Sequence, residues 1–199
     1  MTSDQWRPDK RLPGWGLAFG VRDSGQYRRF GHGGSVFGGW NSFMGVFPEL
    51  NSAFVLHINL MSDNFDSVFI PRLIAAFLGR DEPALPGRAV DPRVLETAPG
   101  VYELSMPGPL TNFRPQFNCG RVKISAEDGA LLMYSRRGPW KSGARLLPVN
   151  NDPDFFAIDL DGYPRQHMTL LRDASGAVTG LRFPQIVDMY RNPELQPWV

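Results

Sequence analysis

The side chains that could do chemistry are few. The sequence holds three histidines, His32, His57 and His167, three lysines, Lys10, Lys123 and Lys141, and one cysteine, Cys119. The histidines lack any metal-ligand spacing, and a lone cysteine makes neither a zinc site nor an intrachain disulfide. HExxH, GxSxG, P-loop, CxxC and strand-linked GxGxxG elements are all absent, so nothing in the sequence calls for a metal or another cofactor. The densest constellation is residues 30–42, where five glycines surround His32 and Ser35. Glycine lets another backbone approach closely. That pattern predicts an exposed His32 with Ser35 and Trp40 beside it. His57, in an apolar run, and His167, in an alternating one, read as strand residues without a chemical role.

Strands must position this segment. Residues 16–21, 27–30, 42–47 and 53–60 are short β-rich runs separated by turn formers such as Asp23-Ser24-Gly25 and Pro48-Glu49-Leu50-Asn51. They predict an antiparallel meander of three or four strands. Phe65, Val68, Phe69, Leu73, Ala76 and Phe77 then recur at helical spacing up to Gly79, with cap residues in Ser62-Asp63-Asn64. Pro71 places the start of the regular helix near itself. Residues 81–94 are rich in proline and read as a linker between a first domain, 1–80, and a second, 95–199. In the second, residues 100–104, 121–125, 130–135, 144–149, 155–160, 166–172, 178–183 and 186–191 alternate between faces. Turns at Glu127-Asp128-Gly129, Asp161-Gly162 and Ala174-Ser175-Gly176 join some of them. Eight strands without an intervening helix predict a closed antiparallel barrel, because closure removes exposed edges. The fold class is mainly β, a meander plus one helix followed by that barrel.

Composition excludes several partners. Lys+Arg 21 against Asp+Glu 20 gives a net charge of +1, and the arginine pairs are scattered, so the basic footprint of nucleic-acid binding is missing. The longest apolar stretch, residues 53–61, is interrupted by His57 and Asn59 and is far short of the ~20 residues of a membrane helix. Met1-Thr2-Ser3-Asp4-Gln5 does not open a signal peptide, and nothing assigns a compartment. Hydrophobic residues at 42% supply a sizeable core. A barrel of this strand number either fills with side chains or holds one small apolar ligand.

The first half resembles the last strands of β-lactamase-related serine hydrolases, the penicillin-binding-protein-like esterases and peptidases. The residues that carry the resemblance are Gly14-Trp15-Gly16-Leu17-Ala18-Phe19-Gly20, Gly31-His32-Gly33-Gly34-Ser35, Phe43-Met44-Gly45-Val46-Phe47-Pro48 and Phe54-Val55-Leu56-His57-Ile58-Asn59-Leu60. Residues 31–34 match the family's third motif, Lys-Thr-Gly or His-x-Gly. The resemblance implies that His32 faces the cleft, and that the backbone around Gly34 and Ser35 supplies an oxyanion-hole N–H. It also implies a partial β-lactamase-like α/β domain and a second half similar to the lipocalin-like barrel some members append.

The departures concern the nucleophile. Residues three before the lysines are Arg7, Gly120 and Gly138, so there is no Ser-x-x-Lys. Ser62-Asp63-Asn64 and Tyr190-Arg191-Asn192 match the family's second motif as text, but both follow the third motif and read as coincidence. The resemblance therefore implies the C-terminal portion of such an enzyme, without its nucleophile and inactive alone. The alternatives are a barrel that binds a small ligand or a protein, and one chain of a two-chain hydrolase. Strand 53–60 would be an unpaired apolar edge, which predicts a homodimer or a complex with a catalytic half. Otherwise residues 1–13, with Trp6 and Leu12, fold back over that edge.

Overall fold

The computed structural model describes residues 3–24, 27–36, 39–59, 65, 69–79, 87–104, 120–136, 139–161, 163, 165–184 and 187–194. Cys119, Ser62-Asp63-Asn64, Gly25, Val68 and Gly162 lie outside them. The chain divides into two compact units, Met1–Glu82 and Pro83–Val199.

The first unit is a five-stranded antiparallel sheet in sequence order. Its strands are β1 (Gly14–Trp15), β2 (Gly20–Ser24), β3 (Tyr27–Val36), β4 (Trp40–Phe47) and β5 (Ser52–Ile58). The sequence pattern ends its second strand at Phe30 and leaves the glycines to a connection. Here β3 continues to Val36, paired residue by residue with β4. Glycine has little strand preference of its own; the ladder to β4 supplies what propensity does not.

One face of the sheet carries Phe43, Phe47, Phe54, Leu56 and Ile58 against Phe65, Ile70 and Ile74. Helix α1 (Ile70–Leu78) starts with Pro71 in its first turn, where no N–H is needed. It stops at Gly79, whose φ of 61° lets its N–H reach the carbonyls of Ala75 and Ala76. Phe77 stacks on Phe47 with ring centres 5.2 Å apart. The space at Gly45 is taken by the Phe54 ring, 2.8 Å from where a Cβ would stand.

The N-terminal segment does not cover β5. Trp6 bridges to Trp15, its N–H donating to the Trp15 carbonyl at 3.1 Å, which places residues 5–6 at the β1 side of the sheet. Among the described residues β5 is therefore an edge strand, and Val55 is 64% exposed.

The second unit is the closed barrel. In chain order its strands are β6 (Gly100–Leu104), β7 (Arg121–Glu127), β8 (Ala130–Ser135), β9 (Ala144–Val149), β10 (Asp152–Asp159), β11 (Gln166–Arg172), β12 (Val178–Phe183) and β13 (Val187–Arg191). All neighbours are antiparallel, and β13 returns to β6. Asp128 and Gly129, with φ of 49° and 74°, form the two-residue turn after β7, and Asn150 and Asn151 form its counterpart after β9.

Tyr102, Ile124, Leu131, Met133, Phe156 and Leu181 belong to one continuous buried cluster inside the barrel. The described barrel residues put a continuous apolar cluster inside, and nothing among them supports the expectation of an apolar ligand there. Helix α2 (Pro92–Thr97) joins this cluster. Asp91 caps it by accepting from the Arg93 N–H at 2.8 Å. Val90, Val94 and Ala98 are buried with the barrel core, so residues 90–94 pack with the barrel although their sequence reads as linker. Val90 lies just before the Asp91 cap and Val94 in the first turn of the helix, and the core takes both. The Tyr102 hydroxyl donates to the Ala98 carbonyl, and Arg191 donates to the carbonyls of Thr97 and Pro99.

Candidate functional site

The site is built on the second half of β3. Strand β2 pairs with β3 only from Tyr27 to Gly31, ending at Gly20↔Gly31. From His32 to Val36, β3 is paired on the β4 side alone among the described residues, through His32↔Met44, Gly33↔Phe43, Gly34↔Ser42, Ser35↔Asn41 and Val36↔Trp40. His32, Gly33, Gly34 and Ser35 are all exposed. Among the described residues, the result is a strand edge whose outward N–H and C=O groups have no partner, inside a sheet rather than at its margin.

Glycines make this edge accessible and also hold the sheet together. A Cβ on Gly34 would stand 3.1 Å from the Ser42 Oγ, whose hydroxyl donates to the Gly34 carbonyl at 3.3 Å. A Cβ on Gly31 would lie 2.9 Å from the Met44 carbonyl oxygen and 3.0 Å from the Phe43 ring. Gly31 is therefore required by packing.

Strand alternation separates the expected trio. His32 lies on one face of the sheet with Ser42 and Trp40, the latter 62% exposed. Ser35, three residues on, lies on the other, where its hydroxyl donates to the Oδ1 of Asn41, a residue only 6% exposed. The side chain of Ser35 thus holds the strand end, and its backbone alone remains available for the role the resemblance implies.

His57 is a candidate that its apolar sequence surroundings conceal. It is exposed on β5, opposite Ser42, and so shares the face of His32. The signal is present in the alternation of Phe54, Leu56 and Ile58 inward with Val55 and His57 outward. His167 is the contrary case: half-buried, stacked on Phe155 at 5.3 Å, with burial first and Arg165 second depressing its pKa. Its ring is taken up by that packing. Tyr190 and Asn192, the textual second-motif match, border a recess of about 370 Å³ at the end of β13 in the barrel unit, together with Glu103 and Glu194. No three His, Cys, Asp or Glu side chains gather as a metal site among the described residues, and none of the described helices is long and apolar enough to cross a membrane.

No family model matches this chain, and no curated protein does. Among solved structures, it is similar to SurE crystallised with D-Leu, with a TM-score of 0.49 and 20% identity over 90% of this chain and 39% of that one. It is also similar to the octameric penicillin-binding protein homologue from Pyrococcus abyssi, with a TM-score of 0.34 and 16% identity over 96% of this chain and 40% of that one. This chain thus spans about two fifths of the length of the solved chains it matches.

Proposed function

We propose that this chain is the C-terminal portion of a β-lactamase-related serine hydrolase, carrying a lipocalin-like barrel, and that it performs no turnover alone. The observation that carries this reading is the half-open stretch of β3 from His32 to Val36. An extended acyl or peptide substrate can add to such an edge as a further strand, through main-chain hydrogen bonds. The glycines permit the approach. His32 then holds a substrate carboxylate or the proton network of the nucleophile, and the N–H groups near Gly34 and Ser35 receive the developing oxyanion. The Ser-x-x-Lys nucleophile is absent from these 199 residues and comes from a catalytic half that completes the site.

Two measurements test the reading. The chain alone is expected to leave nitrocefin and p-nitrophenyl esters unhydrolysed, and turnover by it would overturn the assignment. Titration with an extended acyl-peptide is expected to shift the backbone amide signals of residues 32–36, leaving those of β12 unmoved. Shifts confined to the barrel would favour a binding module instead.

A further inference from the structure

Arg29 sits on β3, on the face opposite His32. It is only 8% exposed, its Nε is buried without an acceptor, and none of the described residues accepts a hydrogen bond from it. Its guanidinium carbon lies 5.7 Å from the centre of the Phe43 ring. Directly across on β2 stands Arg22, a second cation. A desolvated guanidinium facing a like charge is costly unless an anion meets it. Burial first, and Arg22 second, lower the Arg29 pKa to about 10, which still leaves it protonated at neutral pH.

The neighbouring pair on the same face is Gly20↔Gly31, two positions with no side chain. At Gly31 the Phe43 ring occupies the space. At Gly20, among the described residues, the atom near the place of a Cβ is the Gly31 carbonyl oxygen, at 3.5 Å. No side chain of the Gly20↔Gly31 pair therefore stands between the two arginines and the space beside them.

We propose that this cradle, bounded by Arg22, Arg29, Gly20 and the Phe43 ring, binds a carboxylate. The planar guanidinium fork of Arg29 matches the two oxygens of a carboxylate, and Arg22 stands at its flank. The carboxylate comes either from a small free acid or from an acidic side chain of a second copy of this chain, and one experiment separates the two.

The full chain is placed in sodium chloride that is exchanged for sodium acetate at constant ionic strength. The readouts are the Arg29 Nε–H signal, assigned by its loss in Arg29→Met, and the melting temperature. For a free acid, the signal moves saturably and the melting temperature rises by about 3 °C per tenfold acetate above half-saturation. Gly20→Val fills the cradle with a strand-favouring side chain and is expected to abolish both responses. Arg29→Met is expected to lose the acetate response while melting higher than the parent in chloride, because a buried unpaired charge is gone. A signal that ignores acetate but moves as the protein is concentrated assigns the carboxylate to the second copy. Indifference to both acetate and protein concentration overturns the proposal, as does an acetate response that survives in Gly20→Val.

Discussion

The two units use strands of similar length to opposite ends. In the barrel each strand has a neighbour on either side, and the described interior is one continuous cluster of apolar side chains. In the sheet, among the described residues, β5 and half of β3 have a neighbour on one side only, and the candidate chemistry lies at those places. A closed ladder spends its hydrogen-bonding groups on itself; an open one keeps some for another molecule. A closed barrel around an apolar cluster serves stability first, whereas an open ladder beside a histidine leaves groups that another molecule can meet.

The largest test of this contrast removes the helix that joins the barrel core. A chain of residues 83–199 is expected to unfold cooperatively, whereas one starting at Leu95 lacks the buried side chains of Val90 and Val94. At roughly 1.5–3 kcal/mol for each buried valine, the shorter chain should lose about 3–6 kcal/mol, read by denaturant unfolding. Equal stability of the two would show that α2 is an ornament of the barrel.

Within the barrel, Phe156→Ala should cost about 3–5 kcal/mol, since the site is nearly sealed from solvent. A cost below about 1 kcal/mol would mean that the interior is loosely filled, and the contrast with the sheet would fail.

Alkaline pH should move the two units in opposite directions. Burial pushes the Tyr102 hydroxyl up to about 12 from its ordinary 10, partly offset by Arg191 and Arg172. The folded barrel therefore keeps a proton that the unfolded chain loses near pH 10, and its stability falls as pH rises from 10 to 12. The fall across that window amounts to about 2–3 kcal/mol. Arg29, lowered to about 10, has the opposite sign: the unfolded chain holds the extra proton, so the sheet unit gains stability above pH 10. Unfolding followed separately in each unit checks both slopes, and Tyr102→Phe should flatten the first.

The smallest effects belong to the open face. His32→Ala and Val55→Thr should each change stability by no more than about 0.5 kcal/mol, because both side chains are exposed. A loss of several kcal/mol at His32 would make it a packing residue and end its own part in the proposed site.

Legibility in the sequence follows the range of the forces involved. All eight barrel strands could be read, most of them to within a residue, although β10 starts three residues earlier than its apolar run and β7 runs two further, because turn residues such as Asp128-Gly129 act within a few positions. The end of α1 was equally plain, since Gly79 stops a helix locally. His32, Gly34 and Ser35 could be picked out by their glycine surroundings, but their grouping could not. The assignment of His32 and Ser35 to opposite faces depends on β3 remaining a strand through the glycines, and only its register with β4 makes it one.

By itself, then, the sequence determined the strand inventory, the turns, the helix stop and the residue types at the candidate site, all consequences of local backbone preference and periodicity. The tertiary structure decided three other things: that the β2 ladder stops at Gly20↔Gly31 and opens the β3 edge, that residues 5–6 pair near β1 rather than with β5, and that Arg29 is buried opposite Arg22. Each is set by which distant strand lies alongside, and pairing between distant strands leaves no mark in the composition of either one.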